Sequence, residues 1–288
     1  MSSGNTKIWL ITGASSGLGR AMTDFVLQNG DIAIATLRQP DVLADLAAIY
    51  PSERLLILKL DVSQKSDVEE AFVKVKEVFG QLDVVYNNAG IMTWGKVESM
   101  DEGNAQKMFE TNFWGASYVT REALKFFREV NKPIGGRLIQ VSSCLGVHAR
   151  PGLGYYTATK FALEGLTETI VQEVDPAWNI KATIVEHGPF RSRITGAHMK
   201  HVPQRPAYTD PNMAGSQYFK VCADPASSNG DPYKVAAVMD KLARLDNPPL
   251  RLPLHKDTLE MVRTRLDVTT KELELYATWS DDVCFDCS

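Results

Sequence analysis

The stretch YYTATKFALEGL, residues 155–166, sets Tyr156 four residues before Lys160. On a helix, positions i and i+4 share a face, so the phenol and the ammonium come within reach of each other. A positive charge there favours phenolate and lowers a tyrosine pKa, which suits a hydroxyl that gives or takes a proton near neutral pH. Tyr155 falls in register with Thr159 and has no cation beside it. Alone, the same spacing also describes an exposed helix pair worth a few tenths of a kcal/mol. The elements around it must decide.

Those elements read as an alternation. KIWLIT (7–12), DIAIATL (31–37), RLLILKL (54–60), LDVVYNNAG (82–90), GGRLIQVSS (135–143) and NIKATIVEHG (179–188) are apolar, strand-like runs. Helical periodicity separates them over 18–28, 41–50, 66–80 (Ser66 as N-cap, Gly80 as stop), 101–130 and 155–175. Strands alternating with helices predict an α/β fold: a doubly wound parallel sheet covered on both faces, with ligands at the carboxyl ends of its strands. Residues 188–230 break the pattern with five prolines, which suggests a functional loop, read as a substrate lid. Residues 231–245 are helical again, 250–254 suit an edge strand, and 256–279 a terminal helix, so that 255–288 forms a helical extension and tail. No repeat divides the chain, and 1–288 reads as one domain.

Composition narrows the function classes. A net charge of -4 leaves no basic footprint for nucleic acid or membrane. No apolar run approaches 18 residues, and the amino terminus enters a strand too soon for a signal peptide. Cys284-x-x-Cys287 lies in the final residues with no helix after it, which suits a frayed tail better than a redox centre. The expectation is a cytoplasmic chain that binds no metal.

TGASSGLG (12–19) joins the first strand to the first helix. In that context Gly13 permits a tight turn, Gly17 lets the backbone approach a pyrophosphate, and Gly19 lets helix and strand pack closely, while amides at the helix start face the phosphates. This T-G-x-x-x-G-x-G spacing, with Asn87-Asn88-Ala89-Gly90 and Tyr156-x-x-x-Lys160, resembles the short-chain dehydrogenase/reductase superfamily over residues 7 to about 192 and again near 231–254. The resemblance implies a Rossmann-type fold and a nicotinamide cofactor. It implies Ser143, 13 residues before Tyr156, as catalytic serine and Asn112 as fourth member of the set, holding a water beside Lys160. Ser142 is the adjacent alternative, but strand alternation turns it to the other face. By the same resemblance Ser15, Ser16, Leu18, Asp61, Val62, Asn88, Ala89 and Gly90 contact the cofactor, as do Tyr156 and Lys160 through the nicotinamide ribose. Gly188, Phe190 and Ser192 follow the sixth strand, where relatives carry Pro-Gly and a threonine; His187 stands in place of that proline.

The end of the second strand bears on which nicotinamide. An acidic residue there would hold a ribose 2′-hydroxyl. Leu37 and Arg38 offer instead no repulsion and one guanidinium fork for a 2′-phosphate. The expectation is NADP(H), with a small ketone, aldehyde or alcohol as substrate. A non-redox use of the fold (cyclase, dehydratase or isomerase) is the alternative, and a cofactor-sensing protein without catalysis a third reading. His187, Arg191, Arg193, His198, Lys200, His201 and Arg205, with His148 and Arg150, are either a solvated lid face or an attraction for anionic substrate. Apolar residues beyond one stripe in 101–130 and 155–175 (Phe109, Phe113, Trp114, Phe126, Phe127, Phe161, Leu163, Leu166) suggest the homodimer or homotetramer interface that the resemblance implies.

Overall fold

A computed structural model describes residues 6–192, 194–195 and 199–285. Arg193, His198 and Cys287, singled out above, lie outside the described residues. Strand β1 (Ile8–Thr12) leads through the glycine loop into helix α1 (Gly17–Gln28), followed by β2 (Ile32–Leu37). The predicted helix over 41–50 is a 3-10 turn, Pro40–Leu43, running into the single turn α2 (Ala44–Ala47). Next come β3 (Leu55–Lys59), α3 (Lys65–Phe79), β4 (Val84–Asn87) and the two-residue strand β5 (Thr93–Trp94). α3 starts one residue before Ser66, its N-cap being Gln64, and ends as expected on Gly80 with φ 63°.

The predicted helix over 101–130 is interrupted. Asp101 caps α4 (Glu102–Phe109) by accepting from the Asn104 amide at 2.9 Å, a π-helical turn covers Glu110–Gly115, and α5 (Ala116–Glu129) continues. β6 (Gly136–Val141), α6 (Gly154–Glu173) and β7 (Ile180–His187) follow. The proline-rich segment is more ordered than a loop: it holds β8 (Lys200–His201), which pairs with β5, and α7 (Ala214–Ala223). β8 is too short to show a period, and α7 stands isolated between Pro211 and Pro225. α8 (Pro232–Ala243), β9 (Arg251–Leu254) and α9 (Lys256–Tyr276) complete the chain.

The main sheet has seven parallel strands in the order β3-β2-β1-β4-β6-β7-β9. Alternation within single strands divides the core. Trp9 and Ile11 pack with Val26, Met239 and Leu242 under α1 and α8; Leu10 packs with Phe72, Val119, Phe126 and Phe127 under α3 and α5. Strand order reverses between β1 and β4, which places the crevice for a ligand outside their carboxyl ends.

The surplus of apolar residues on α5 and α6 is smaller than the sequence suggests. Phe126, Phe127 and Leu163 are buried in the chain's own core, whereas Trp114 and Phe161 are exposed. No helix among the described residues is long and apolar enough to cross a membrane, and no cluster of metal-ligating side chains is found among them.

Candidate active site

At the crevice, Thr12 ends β1 and ties it to the loop after β4. Its hydroxyl accepts from the amides of Asn88 and Ala89, each at 2.9 Å, while the Asn88 side chain donates back to the Thr12 carbonyl at 2.9 Å. Gly17 has φ 55°, and a Cβ there would sit 3.2 Å from the Cβ of Ser192, so the segment after β7 lies over the glycine loop. A Cβ on Gly19 would collide with the Gly13 carbonyl oxygen. Ser16 is the N-cap of α1 but makes no side-chain cap, and no acidic residue stands in the first turn. The bare amides at that helix start are suited to an anion.

Ser15 is exposed at the loop, and Arg38 at the end of β2 is exposed with no ion pair among the described residues. Leu37 is buried in the core beneath it. Across the crevice, Asp61 accepts from the amide and hydroxyl of Ser63 (3.1 and 2.8 Å), and Val62 packs on Gly115. A glycine cradle closed by Ser192, uncapped amides and a free guanidinium fit a phosphorylated dinucleotide.

Tyr156 and Lys160 stand on the inner face of α6, both buried. Lys160 donates to the Val141 carbonyl at 2.8 Å, and its Nζ lies 5.7 Å from the centroid of the Tyr156 ring. The ammonium is therefore beside the ring, on the β6 side. Burial holds the phenol well above its ordinary pKa, opposed by Ser143, so the lowering expected from the spacing is outweighed. Burial also brings Lys160 down to about 8, opposed by Glu164 one turn further along. Tyr155 is only half-buried, and Thr159 does not pair with it; the Thr159 hydroxyl donates to the Tyr156 carbonyl at 2.7 Å.

Ser142 and Ser143 diverge, as alternation requires. Ser143 sits against Tyr156 and accepts from the Leu145 amide at 3.1 Å, so it is also the cap of the turn Cys144–Gly146. Ser142 donates to the buried Glu164. Asn112 lies within the π turn. Its side chain accepts from the Ile91 amide and donates to the Ile91 carbonyl, both at 2.8 Å, and donates to Thr159 at 3.2 Å. Both side-chain donor directions are taken, so this amide braces the loop after Gly90 and has only an acceptor left for the water expected of it.

Residues outside the expected catalytic and cofactor set support this group. Arg251 on β9 reaches Glu164 at 2.5 Å, Glu186 at 2.6 Å and Glu168 at 3.0 Å. Asn87 donates to the carbonyl of Ala116 and to Gln140, tying β4 to α5 and β6. Their signal was polar residues inside apolar runs. His187 ends β7 buried, with neither ring nitrogen hydrogen-bonded among the described residues, edge-on to Phe190 at 5.5 Å. Burial and then the Lys160 charge push its pKa down to about 3. Gly188 donates to the Leu254 carbonyl at 3.0 Å, and Phe190 bridges to Gly230.

The wall beside Tyr156 is apolar: Met92, Trp94, Met108, Leu145, Leu153 and Met199, closed by Tyr218 and Phe219 of α7. Trp94 and Phe219 stack at 4.6 Å. Four of the basic residues face outward: Arg191, Lys200, His201 and Arg205 are exposed, and Lys200 bonds Asn104 at 2.6 Å. Arg150 is half-buried and lies over the Tyr218 ring at 5.8 Å, and His187 is buried. The four exposed residues form a solvated face.

A short chain dehydrogenase family model matches residues 7–202. An uncharacterized oxidoreductase of Schizosaccharomyces pombe is 38% identical over 96% of this chain and 91% of its own. A 3-ketodihydrosphingosine reductase of Bacteroides thetaiotaomicron is 30% identical over 85% of this chain and 86% of its own. A solved short-chain dehydrogenase from Streptomyces avermitilis superposes with a TM-score of 0.86 at 32% identity, covering 99% of this chain and all of that one.

Proposed function

The chain belongs to the short-chain dehydrogenase family, and we propose that within it the protein is an NADP(H)-dependent oxidoreductase interconverting a ketone or aldehyde with an alcohol. The observation that carries this reading is the buried set of Ser143, Tyr156 and Lys160 beside an apolar wall. When bound, the nicotinamide supplies the hydride exchange with the carbinol or carbonyl carbon. Gly13, Gly17, Gly19 and the amides at the start of α1 hold its phosphates, with Asp61, Val62, Asn88, Ala89 and Gly90 along the crevice and Gly188, Phe190 and Ser192 closing over it. Arg38 takes a 2′-phosphate, since no carboxylate at the end of β2 repels one.

Tyr156 keeps its proton in this enclosure until a carbonyl oxygen gathers negative charge, then donates it, while Ser143 donates a hydrogen bond to the same oxygen. Lys160 supplies positive charge close by, and Asn112 holds the loop and helix that frame the set. Segment 188–230 is the substrate lid. Its inward side, Met199, Tyr218 and Phe219, favours an apolar substrate body over an anion. The Bacteroides relative points the same way, its name stating a keto substrate and a reduction. Assembly into a homodimer or homotetramer uses the exposed face made by Trp114, on the π turn that leads into α5, and Phe161 on α6. The test is NADPH absorbance decay with a panel of apolar ketones and aldehydes; no decay with any, but product formation at constant NADPH, would establish the non-redox alternative.

A further inference from the structure

α9 leaves the body of the protein almost at once. Thr258 is the one buried residue of Lys256–Tyr276, and every residue from Arg263 to Phe285 is exposed among the described residues. The bare part of the helix, residues 263–276, lies at the length where an isolated helix is only marginal in water, about 12–15 residues. It does have something to bury. Leu259, Val262, Leu266, Thr269, Leu273 and Tyr276 follow one another at alternating steps of three and four, the a and d spacing of a two-stranded coiled coil. Leu266 and Leu273 are 62% and 66% exposed.

The charges indicate what covers this stripe. Residues 256–266 carry Lys256, Arg263 and Arg265 against Asp257 and Glu260, a net of +1. Residues 267–276 carry Lys271 against Asp267, Glu272 and Glu274, a net of -2. A helix positive in one half and negative in the other complements itself when turned end for end, which is what a two-fold interface requires. We propose that α9 pairs antiparallel with α9 of a second copy of this chain.

The heptad spacing gives the register. Leu259 meets the partner's Tyr276, Val262 the partner's Leu273 and Leu266 the partner's Thr269, each contact occurring twice by symmetry. In that register Arg265 flanks the seam opposite the partner's Glu272, again twice. Parallel pairing would stack the positive halves together and leave Arg265 facing threonine. The pairing is independent of the cofactor reading and of the α5–α6 face.

The experiment is site-directed cross-linking of the full chain carrying Cys284→Ser and Cys287→Ser. With Leu266→Cys and Thr269→Cys together, mild oxidation by diamide should give a covalent dimer; with Leu259→Cys alone it should give none. Arg265→Glu should lower the dimer yield about tenfold, through like charges facing across the seam, and adding Glu272→Arg should restore it. Thermal unfolding of each variant checks the fold. Absence of a covalent dimer, equal yield through Leu259→Cys, or no restoration by the charge exchange would overturn the proposal. So would a monomer whose α9 binds phosphatidylcholine–phosphatidylserine vesicles, which would give the stripe to a bilayer.

Discussion

Ser142 and Ser143, neighbours at the end of β6, commit their hydroxyls to different partners: Ser143 sits against Tyr156, while Ser142 donates to Glu164. Strand alternation thus separates a hydroxyl that faces the reacting group from one built into a charged support. Ser143→Ala should lower carbonyl reduction by about 10²-fold, the scale of one lost oxyanion donor. Ser142→Ala should act mainly on thermal stability, with kcat close to that of the native chain.

Tyr156→Phe keeps the ring packing and removes only the hydroxyl. NADPH binding, read by fluorescence, should persist while kcat falls about 10²-fold or more. Tyr155→Phe is the control and should be far milder, since its hydroxyl has no place in the set. Carbonyl reduction near the native rate in Tyr156→Phe would remove this residue as proton donor.

Arg38→Leu tests cofactor choice. It should weaken NADPH, whose charge-assisted contact is worth about 1.5–3 kcal/mol, and leave NADH nearly untouched. The ratio of kcat/KM for NADPH over NADH should therefore fall by about tenfold or more. Leu37 is buried in the core, so adding Leu37→Asp would strengthen the switch but also cost stability; the single variant is the cleaner measurement. An unchanged ratio would make Arg38 a plain solvated charge.

Lys160 gives activity and stability opposite slopes. Its pKa in the folded chain is about 8 against an ordinary 10.5. Reduction supported by its charge should decline as pH rises through about 8. Between those two values the unfolded chain binds the additional proton, so stability should rise with pH across the same window. Melting curves of Lys160→Met, compared with the native chain at pH 7 and pH 9, should lack that rise.

His187 acts in the same sense at low pH. Its folded pKa of about 3 lies below the ordinary 6.5, so the unfolded chain takes up the proton first and stability is lost as pH falls from about 6.5 toward 3. His187→Leu removes two unpartnered buried nitrogens. Near neutral pH it should raise stability by about 1 kcal/mol in denaturant titrations, and it should flatten the acid limb.

What could be read from the sequence was whatever period and local chemistry encode. The alternating apolar runs, TGASSGLG and the Tyr156–Lys160 spacing located the sheet, the glycine loop at its first strand and the helix face that carries Tyr156 and Lys160. The interruption at Glu110–Gly115 was not legible, because a π turn adds a residue without a break in composition. Nor was the rise of the Tyr156 pKa, since spacing reports a neighbouring charge but not burial. Glu164 and Arg251 are 87 residues apart in the chain; only the placement of β9 beside β7 brings them together.

The pairing of β5 with β8 has a kinetic side. Thr93 and Trp94 are joined to Lys200 and His201 across the whole second half of the sheet, so this ladder closes a long loop for very few bonds. With two residue pairs, it adds little to the chain's cooperative stability. The Val202 amide, which donates to the Trp94 carbonyl at 3.0 Å, should exchange its hydrogen through local opening, far faster than amides of the central strands. The roof over Tyr156 should therefore open locally, without the sheet beneath it unfolding.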